Sequence, residues 1–444
     1  MNKIKSIPYL LIITISVLWL STGIKFPDPF IYYGLRDIAN QYTGMIAIGA
    51  MSLCMVLAIR PRWLETYFNG LDKTYRLHKW LGIIALVATL THYWFTQGSR
   101  WLVSLGIVTK PVRNKPVIDP NAPFDFEVWL KSFKGIAENV GEWAFYLALV
   151  LMVVSLAKRI PYHWFKKVHK FLAVSYLTLV FHTVVLIKFP YWSQPIGWFM
   201  AVLLVAGSYS AIIVLFKGID NKSKFLGKID SIRPLAEMDS YEVTLSVPNW
   251  QGHQAGQFVF IKANGESHPF TIASAWNPND PVLKFVIKNL GDYTSQLPTH
   301  LVQGSTVEIK GPYGKFTFED NATEQIWIAS GVGITPFMAG LEQRIVQKEK
   351  TTAVTFYYCY RQADPNFLSQ LITKAKDANV NLHLWDSRAK GHLTAEQIQN
   401  PQRDWSHTTV WFCGNNAFAK QLFSDMTSLG INKNNIHQEL FEMR

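Results

Sequence analysis

Four histidines in two long apolar segments constrain this chain more than any other feature of its sequence. The first segment, RLHKWLGIIALVATLTHYW, contains His78 and His92, and the second, VHKFLAVSYLTLVFHTVV, contains His169 and His182. The two histidines of each segment are separated by about 20 Å of helix, since a helix rises about 1.5 Å per residue. An imidazole in hydrocarbon is unfavourable unless it has a partner, so these histidines indicate function.

Two interpretations of the histidines are open. Each ring either hydrogen-bonds a neighbouring helix, or the four rings hold two haems stacked across a membrane, with one imidazole from each segment on each iron. The nearly equal spacing in two segments favours the haems. Fourteen residues at about 100° each return to nearly the same helix face, but thirteen do not. The second segment is therefore expected to contain a bulge or kink, or to present its ligands from different sides.

The chain divides into an apolar half and a half of ordinary charge density. Long apolar runs extend from Ile7 to about Leu215, and a sequence typical of a soluble α/β protein follows from about Asp220. Apolar runs of roughly 20 residues predict membrane-spanning helices. We predict six spans, at about 8–24, 41–59, 79–97, 142–157, 169–188 and 196–216. The first run is alternatively a signal peptide, although no small-residue cleavage site follows it.

Lysine and arginine positions predict the orientation of these spans. Basic residues precede span one, lie between spans two and three and between four and five, and follow span six. Because basic loops stay in the cytoplasm, both histidine-bearing spans run outward. His78 and His169 then lie near the inner face, and His92 and His182 near the outer face. The expected location is the plasma membrane, with several passes and the second half of the chain in the cytoplasm.

Composition argues against two other classes of protein. The formal charge is +12, but the basic residues lie in short loops and not in an arm mixed with aromatic residues. The charge therefore indicates membrane orientation and no nucleic-acid partner. Cys54, Cys359 and Cys413 show neither a CxxC motif nor metal-binding spacing. This argues against a disulfide scaffold and for reducing surroundings around the second half.

The second half of the chain predicts two domains. Short strands with turn signals over 222–318 predict a small antiparallel barrel. From 325 onward strands alternate with helices, which predicts a parallel sheet flanked by helices. The expected fold is multidomain: a six-helix transmembrane bundle over 1–217, an antiparallel β-barrel over 222–320 and an α/β domain with a parallel sheet over 321–444.

Glycines between a strand and a helix predict a site for a dinucleotide. In IWIASGVGITP, Gly331 and Gly333 allow the backbone to approach a pyrophosphate at a helix N-terminus. Thr335 is expected as the N-cap of that helix and Pro336 in its first turn. Many tight strand–helix turns contain GxG without a ligand, so an ordinary turn is the alternative.

The segment HPFTIAS predicts a flavin site. The hydroxyl of Thr271 and the strand backbone are suited to hydrogen-bond the flavin ring, with Phe270 packed against it. Downstream, Lys288, Gly291 and Thr294 are expected to meet flavin phosphates through charge and backbone amides. The alternative is an ordinary edge strand.

Other candidate residues follow later strands. Arg361 is either placed to meet an adenosine 2′-phosphate or is an ordinary surface arginine. Cys413 and Gly414 end a strand at the sheet edge where ligands bind in open α/β folds, although Cys413 is also interpretable as a small buried residue. Phe441, near the C-terminus, is expected to stack on the flavin or only to pack.

Taken together, these motifs resemble the ferric reductase and NADPH oxidase superfamily, in which a six-helix haem-b membrane domain is fused to a ferredoxin–NADP reductase-like module. The resemblance covers about 41–444. Besides the two histidine pairs it rests on four segments, His268-Pro269-Phe270-Thr271, Gly331-Val332-Gly333-Ile334-Thr335-Pro336, Cys413-Gly414 and Glu439-Leu440-Phe441-Glu442-Met443-Arg444.

The resemblance implies FAD, two haems b and NADPH or NADH as cofactors of a transmembrane electron relay. His78 and His169 then bind the inner haem, and His92 and His182 the outer one, which serves an extracytoplasmic acceptor. That acceptor is a ferric chelate, dioxygen or a periplasmic partner protein. Thr96 stands where the superoxide-producing animal oxidases have a further histidine, which disfavours dedicated oxygen reduction.

One departure from the family pattern and one competing hypothesis accompany this interpretation. Asn415 replaces the proline that usually follows Cys-Gly in the family. A protein of a different class, a membrane binding or channel protein with a non-catalytic reductase-like tail, is the competing hypothesis. The motifs leave open the acceptor, the nicotinamide preference, the oligomeric state and whether the first apolar segment is retained.

Overall fold

A computed structural model of the chain describes residues 2–27, 32–68, 70–109, 123–156, 165, 168–216, 224–235, 238–290, 292–347, 352–398 and 403–439. Two of the predicted site residues, Gly291 and Phe441, lie outside the described residues. The chain forms two compact units, one of Met1–Phe68 with Lys73–Asp220 and one of Asn69–Asp72 with Asn221–Arg444.

The first unit is helical. Its helices α1 to α8 are Asn2–Leu20, Tyr32–Ala58, Arg62–Phe68, Leu71–Ser104, Phe126–Ser132, Lys134–Leu156, Leu172–Leu186 and Pro195–Phe216. A short 3-10 helix, Phe189–Ser193, precedes α8. Buried apolar side chains of α1, α2, α4, α6, α7 and α8 share one core. These helices are apolar on their outward faces as well, as helices surrounded by lipid are.

The prediction of six spans is not confirmed. Among the described residues, the helices long and apolar enough to cross a membrane are Tyr32–Ala58, Lys134–Leu156, Val168–Leu186 and Pro195–Phe216. Helices also occupy the other two predicted positions. The apolar part of α1 is only Ser6–Leu20, and the 34-residue helix α4 carries charged and polar side chains along much of its length.

The second histidine-bearing segment contains the irregularity that its spacing predicts. A helical stretch at 168–170 is followed by a turn at Phe171 before α7 begins. The amide of Phe171 donates to the carbonyl of Val168 (3.0 Å), and the amide of Val174 donates to the carbonyl of Phe171 (3.0 Å). Such i to i−3 bonds wind the chain more tightly than an α-helix. The turn therefore reduces the angular shortfall of the thirteen residues between His169 and His182.

The second unit begins with an antiparallel sheet. Its strands β1 to β6 are Lys224–Leu235, Ser240–Ser246, Phe258–Ala263, Glu266–Thr271, Val282–Lys288 and Thr306–Tyr313. Their order in the sheet is β4-β3-β6-β1-β2-β5. Beyond the edge strand β4, the amide of Ala273 donates to the carbonyl of Lys284 on the other edge strand (2.7 Å), which brings the two edges together. The antiparallel arrangement agrees with the sequence prediction.

A parallel sheet flanked by helices follows, again as predicted. Strands β7 to β11 are Glu324–Ser330, Ala353–Tyr360, Asn381–Asp386, Thr408–Cys413 and Ile436–Gln438, in the order β11-β10-β7-β8-β9. The strand order reverses direction between β7 and β10. In open parallel sheets, ligands bind at the carboxyl ends of the strands at such a reversal.

The helices of the second unit complete this order. They are α9 to α14, Asp292–His300, Thr335–Val346, Pro365–Asp377, Ser387–Lys390, Ala395–Ile398 and Asn416–Ser428. Two 3-10 helices, Gly331–Ile334 and Lys433–Asn435, lie between strands and helices. Helix α9 was not predicted, because its internal Pro298 and its polar composition are typical of a loop.

Candidate functional site

The structure brings the four imidazoles of the membrane unit together in two pairs. The ring centres of His78 and His169 are 5.8 Å apart, and those of His92 and His182 are 6.4 Å apart. A metal held between two imidazole nitrogens at about 2 Å each places the ring centres roughly 6 Å apart. Each pair takes one ring from α4 and one from the segment of α7, so both separations suit one metal per pair.

Helix α2 holds both imidazoles of α4 through their Nδ1 atoms. Nδ1 of His78 lies 3.1 Å from the carbonyl oxygen of Cys54. Nδ1 of His92 lies 3.0 Å from the carbonyl oxygen of Asn40. A carbonyl oxygen only accepts, so Nδ1 carries the proton and Nε2 keeps its lone pair. Metal-binding histidines are typically fixed in this way.

Helix α6 holds the two imidazoles of the other segment. Nδ1 of His182 donates to the carbonyl oxygen of Ala137 (2.8 Å), and Nδ1 of His169 lies 2.9 Å from the hydroxyl oxygen of Ser155. Every one of the four rings therefore has a partner on Nδ1. The common arrangement leaves four Nε2 atoms for metal binding, two in each pair.

Glycines lie directly behind the rings of His92 and His182. A Cβ placed on Gly44 would lie 3.2 Å from Cε1 of His92, and a Cβ placed on Gly141 would overlap the ring of His182. A cavity beside both rings is lined mainly by apolar side chains, and its polar lining includes Asn40, Gln41, Thr183 and Thr89. The buried hydroxyl of Thr89 has no hydrogen-bond partner. The site thus offers close backbone approach and an unused polar atom, as a bound group requires.

The side chains available as ligands distinguish a site for a bare metal ion from a site for haem iron. Among the described residues, no three His, Cys, Asp or Glu side chains converge as ligands of one ion. Bare zinc or iron sites in proteins need three or four protein ligands. Two imidazoles on opposite sides of one iron suffice for haem, because the porphyrin supplies the other four ligands. The residues present therefore fit haem and not a bare ion.

Arg36 was missed by the sequence analysis. Its Nε donates to the carbonyl of Phe95 (2.9 Å) and its Nη2 to the carbonyl of Thr96 (3.2 Å), one turn beyond His92. The hydroxyl of Thr96 itself donates to the carbonyl of His92 (2.8 Å). Arg36 lies before the predicted span 41–59, beside Asp37 in the polar start of α2, so no charge inside an apolar run marked it in the sequence.

The second unit gathers the predicted nucleotide residues at one sheet edge. Ala329 and Cys413 are register partners in β7 and β10, so Gly331 and Gly414 follow the ends of neighbouring strands. Gly331 has a φ of +56°, in the left-handed region. A Cβ on Gly333 would overlap the carbonyl oxygen of Cys413. The two turns therefore touch only because Gly333 has no side chain.

The predicted N-cap at Thr335 is wrong. Ile334 occupies the N-cap position without a side-chain hydrogen bond, and helix α10 begins at Thr335. The hydroxyl of Thr335 instead donates to the carbonyl of Val332 (2.7 Å), because the 3-10 turn before the helix places that carbonyl within reach. Pro336 lies in the first turn, as predicted. Since no side chain caps the helix, its first amides remain suited to a ligand phosphate.

Cys413 lies at the end of β10 and is fully buried. Burial raises the pKa of its thiol well above the usual value, and the neighbouring carboxylate of Glu439 raises it further. Glu439 itself is buried, and its amide donates to the carbonyl of Phe412 (3.4 Å). The interpretation of Cys413 as a small buried residue is confirmed, while its contact with a cofactor stays a prediction.

The predicted flavin residues lie on and after β4. Thr271 is buried, and its hydroxyl has no hydrogen-bond partner in the structure. Nε2 of His268 lies 2.7 Å from a carboxylate oxygen of Glu266, and the ring of His268 stacks on Tyr293 with centres 3.7 Å apart. Burial, with a smaller contribution from Glu266, raises the pKa of Tyr293 to about 12. The unused hydroxyl fits a polar ligand such as a flavin.

The remaining predicted flavin residues lie on several different elements of the second unit. Pro269 and Phe270 pair with the neighbouring strand β3, and Phe270 packs partly into the barrel core. Lys288 is half-buried at the end of β5. The hydroxyl of Thr294 accepts the amide of Leu290 (2.9 Å) and so closes the turn that leads into α9. Thr294 therefore has a structural role here in addition to any contact with a phosphate.

Basic residues follow two adjacent strands at the nucleotide edge. Tyr360 of β8 and Asp386 of β9 are register partners, so the exposed Arg361 and the short helix α12 begin side by side. That helix carries Arg388 and Lys390, both exposed, which the sequence analysis did not single out. In the sequence, the pattern that would have identified them is a pair of basic residues directly after strand β9.

Comparisons with known proteins divide the chain in the same way. A family model described as ferric reductase like transmembrane component matches residues 43–180, an FAD-binding domain matches 233–324 and an oxidoreductase NAD-binding domain matches 327–422. Ferric reduction oxidase 4 of Arabidopsis thaliana is 36% identical over 194 residues, covering 39% of this chain and 27% of that protein. Flavohemoprotein B of Dictyostelium discoideum is 29% identical over 182 residues, covering 37% and 43%. The chain spans about half or less of the length of these curated relatives.

Among solved structures, flavohemoglobin from Malassezia yamatoensis covers 91% of this chain and 98% of its own, with a TM-score of 0.49 and 15% identity. The FAD/NAD-binding domain of a nitric oxide dioxygenase from Vibrio cholerae covers 48% of this chain and 97% of its own, with a TM-score of 0.42 and 20% identity.

Proposed function

This chain belongs to the ferric reductase and NADPH oxidase type of fusion protein, and we propose that it transfers electrons from NADPH or NADH to an acceptor across the membrane. The observation that carries the proposal is the pairing of four imidazoles at two levels, each with its Nδ1 hydrogen-bonded. When bound, FAD accepts hydride as two electrons and haem accepts single electrons, which joins a two-electron donor to a one-electron path.

In this proposal, the histidine pairs hold the haems. His78 and His169 bind the inner haem, and His92 and His182 bind the outer one. With two imidazoles holding each iron, these residues would leave no position for an external ligand, and each haem would supply electron transfer to an acceptor that does not bind the iron. The lipid-facing apolar surface of the bundle keeps water and soluble oxidants away from the sides of this path.

The second unit is proposed to bind the two soluble cofactors. Gly331 and Gly333 let the backbone approach the nucleotide pyrophosphate, with Thr335 and Pro336 opening the helix whose first amides face it. Cys413 and Gly414 border the same edge, where an uncharged thiol is suited to pack beside the nicotinamide.

For the flavin, His268, Pro269, Phe270 and Thr271 are proposed to line the ring, with Phe441 stacked on it. Lys288, Gly291 and Thr294 are proposed to meet its phosphates. The unpartnered hydroxyl of Thr271 is the feature of the structure that supports this assignment. We propose that the second unit lies in the cytoplasm and that the membrane unit lies in the plasma membrane, and the distribution of basic loops supports this orientation.

A ferric chelate is the proposed acceptor, ahead of dioxygen or a periplasmic protein. Thr96 lies one turn beyond His92 and uses its hydroxyl on the carbonyl of His92, so it supplies no titratable group for oxygen chemistry. The cation of Arg36 at the same end favours an anionic acceptor, as chelates of ferric iron with polycarboxylates are.

The full-length protein in lipid vesicles tests the proposal. We expect two b-type haems per chain in a reduced-minus-oxidised spectrum, and oxygen-independent reduction of ferric citrate with NADPH. His182→Ala is expected to lose one haem while NADPH still bleaches the flavin, whereas His383→Ala, on β9, keeps both haems. A colourless wild-type protein, or an unchanged haem count in His182→Ala, contradicts the proposal. A rate that requires oxygen assigns the acceptor to dioxygen instead.

A further inference from the structure

One of the four histidines is fixed differently from the others. Nδ1 of His78, His92 and His182 lies 2.8–3.1 Å from a main-chain carbonyl oxygen, whereas Nδ1 of His169 lies 2.9 Å from the side-chain oxygen of Ser155. The hydroxyl of Thr43 is a second, longer contact of Nδ1 of His92 (3.4 Å). A carbonyl is present whatever residue occupies the position. The acceptor for His169 exists only because residue 155 is a serine.

The direction of this hydrogen bond follows from the other contact of Ser155. Its Oγ lies 2.6 Å from the carbonyl oxygen of Leu151, which only accepts, so the single hydroxyl proton is donated there. Toward His169 the serine oxygen is therefore the acceptor, and Nδ1 of His169 is the donor. The proton on Nδ1 leaves Nε2 unprotonated, as in the other three histidines.

A second contact fixes the plane of the same ring. The ring of Phe165 stacks on that of His169, with centres 5.0 Å apart and an interplanar angle of 25°. Ser155 lies on α6, and Phe165 precedes His169 by one helical turn. The ring is thus held at its edge by one element and on its face by another.

We propose that Ser155 is a positioning residue for His169, which selects its metal-binding tautomer and tunes the redox potential of the haem that His169 and His78 share. This inference rests on the proposed function. An acceptor on Nδ1–H increases electron density at Nε2, and a more basic ligand stabilises ferric over ferrous iron. The hydroxyl therefore lowers the potential of this haem and leaves the other haem unaffected.

A difference in redox potential between the two haems affects the direction of electron transfer. The haem bound by His169 is the inner one, and a lower potential there favours transfer outward. A side-chain acceptor lets the potential of one haem be set independently, since the nearest Nδ1 partners of His92 and His182, the ligands of the other haem, are main-chain carbonyls. Ser155 is the position at which substitution changes this potential without moving the helix backbone.

Spectroscopically monitored redox titration of the full-length protein tests the inference. We expect Ser155→Ala to retain two haems and to raise one midpoint potential while the other stays unchanged. Ser155→Thr keeps a hydroxyl that bonds in the same way and is expected to restore the original value. Ser210→Ala is the matched control, because Ser210 is buried in α8 and its hydroxyl donates to the carbonyl of Ala206 one turn earlier (2.8 Å).

The outcomes separate this inference from the proposed function. Loss of one haem in Ser155→Ala with retention in Ser155→Thr also supports the role of the hydroxyl. Two haems with unchanged potentials in Ser155→Ala, or an equal shift in Ser210→Ala, overturn the inference and leave the proposed function intact. A wild-type protein without haem overturns both.

Discussion

Gly141 lies against the imidazole of His182 so closely that a methyl group in place of its hydrogen would overlap Nδ1 of that ring. The same Nδ1 donates to the carbonyl of Ala137, one turn earlier on the same helix (2.8 Å). One face of α6 thus supplies both the hydrogen-bond acceptor for His182 and the space for its ring. The ring can take this position only while residue 141 has no side chain.

Gly141→Ala is therefore expected to displace His182 and to remove one of the two haems. The haem content measured as the pyridine haemochrome should fall to about half, while the flavin content is retained because the second unit is unchanged. Gly135→Ala is the control on the same helix, since a Cβ there meets no atom within 4 Å. A full haem complement with an unchanged spectrum in Gly141→Ala would contradict the assignment of His182.

Thr271 allows the flavin site to be tested separately from folding. Its hydroxyl is buried without a partner, so Thr271→Val removes a hydrogen bond only when the flavin is bound. A typical hydrogen bond contributes about 1 kcal/mol, and we therefore expect roughly fivefold weaker FAD binding with no loss of thermal stability in the flavin-free protein. Binding is measured by the quenching of flavin fluorescence.

Two further variants sharpen that test. Thr271→Ser should bind FAD like the wild type because it keeps the hydroxyl. Thr408→Val is the matched control: its hydroxyl already donates to the carbonyl of Asp404 (2.6 Å), so the change should lower stability without altering FAD affinity. Equal FAD affinity of Thr271→Val and the wild type would argue that the hydroxyl does not face the flavin.

The histidine pairs were predictable because spacing along two apolar segments is visible in the sequence. Their supports were not, since any residue type at positions 40, 54 or 137 supplies the same carbonyl. Ser155 was equally invisible, because serine in an apolar helix commonly bonds only the carbonyl one turn earlier. A sequence therefore reveals ligands by their chemistry but not main-chain partners, which have no residue signature.

The wrong prediction of the N-cap at Thr335 has a physical cause too. Thr335 has a residue type suited to N-caps, but the 3-10 turn before it moves the cap to Ile334 and offers Thr335 a nearer carbonyl. The count of six spans stays a prediction, since α4 covers the predicted span 79–97 but carries charged and polar side chains along much of its length.

The buried thiol of Cys413 makes the stability of the second unit depend on pH in the alkaline range. Burial raises the pKa of the folded thiol well above the usual value, whereas an unfolded thiol titrates near about 8.5. The contribution to stability is complete below that pH and is lost as the pH rises further, because the unfolded state then releases the proton first. Between pH 7 and 9.5, the wild type should lose about 1.4 kcal/mol more stability than Cys413→Ala.

Thermal unfolding of the full-length protein at the two pH values measures this difference. Cys359 is also buried, and burial raises its pKa to about 12, so Cys359→Ala should behave in the same direction. An identical decline in the wild type and in Cys413→Ala would show that the thiol ionises equally in both states. The burial of the thiol would then not be maintained in solution.

The nicotinamide preference is the last prediction and depends on the basic residues after β8 and β9. If Arg361 meets the adenosine 2′-phosphate, Arg361→Ala removes a charge-assisted contact of about 1.5–3 kcal/mol and lowers kcat/KM for NADPH roughly 10- to 100-fold. The value for NADH, which lacks that phosphate, should not change.

Arg388→Ala should also lower kcat/KM for NADPH, because α12 begins beside Arg361 at the same sheet edge. The charge control is Lys376→Ala, since Lys376 is exposed in the last turn of α11, at the opposite edge. Equal losses of kcat/KM with NADPH and NADH would show that Arg361 supports the fold of this sheet edge and does not bind the 2′-phosphate.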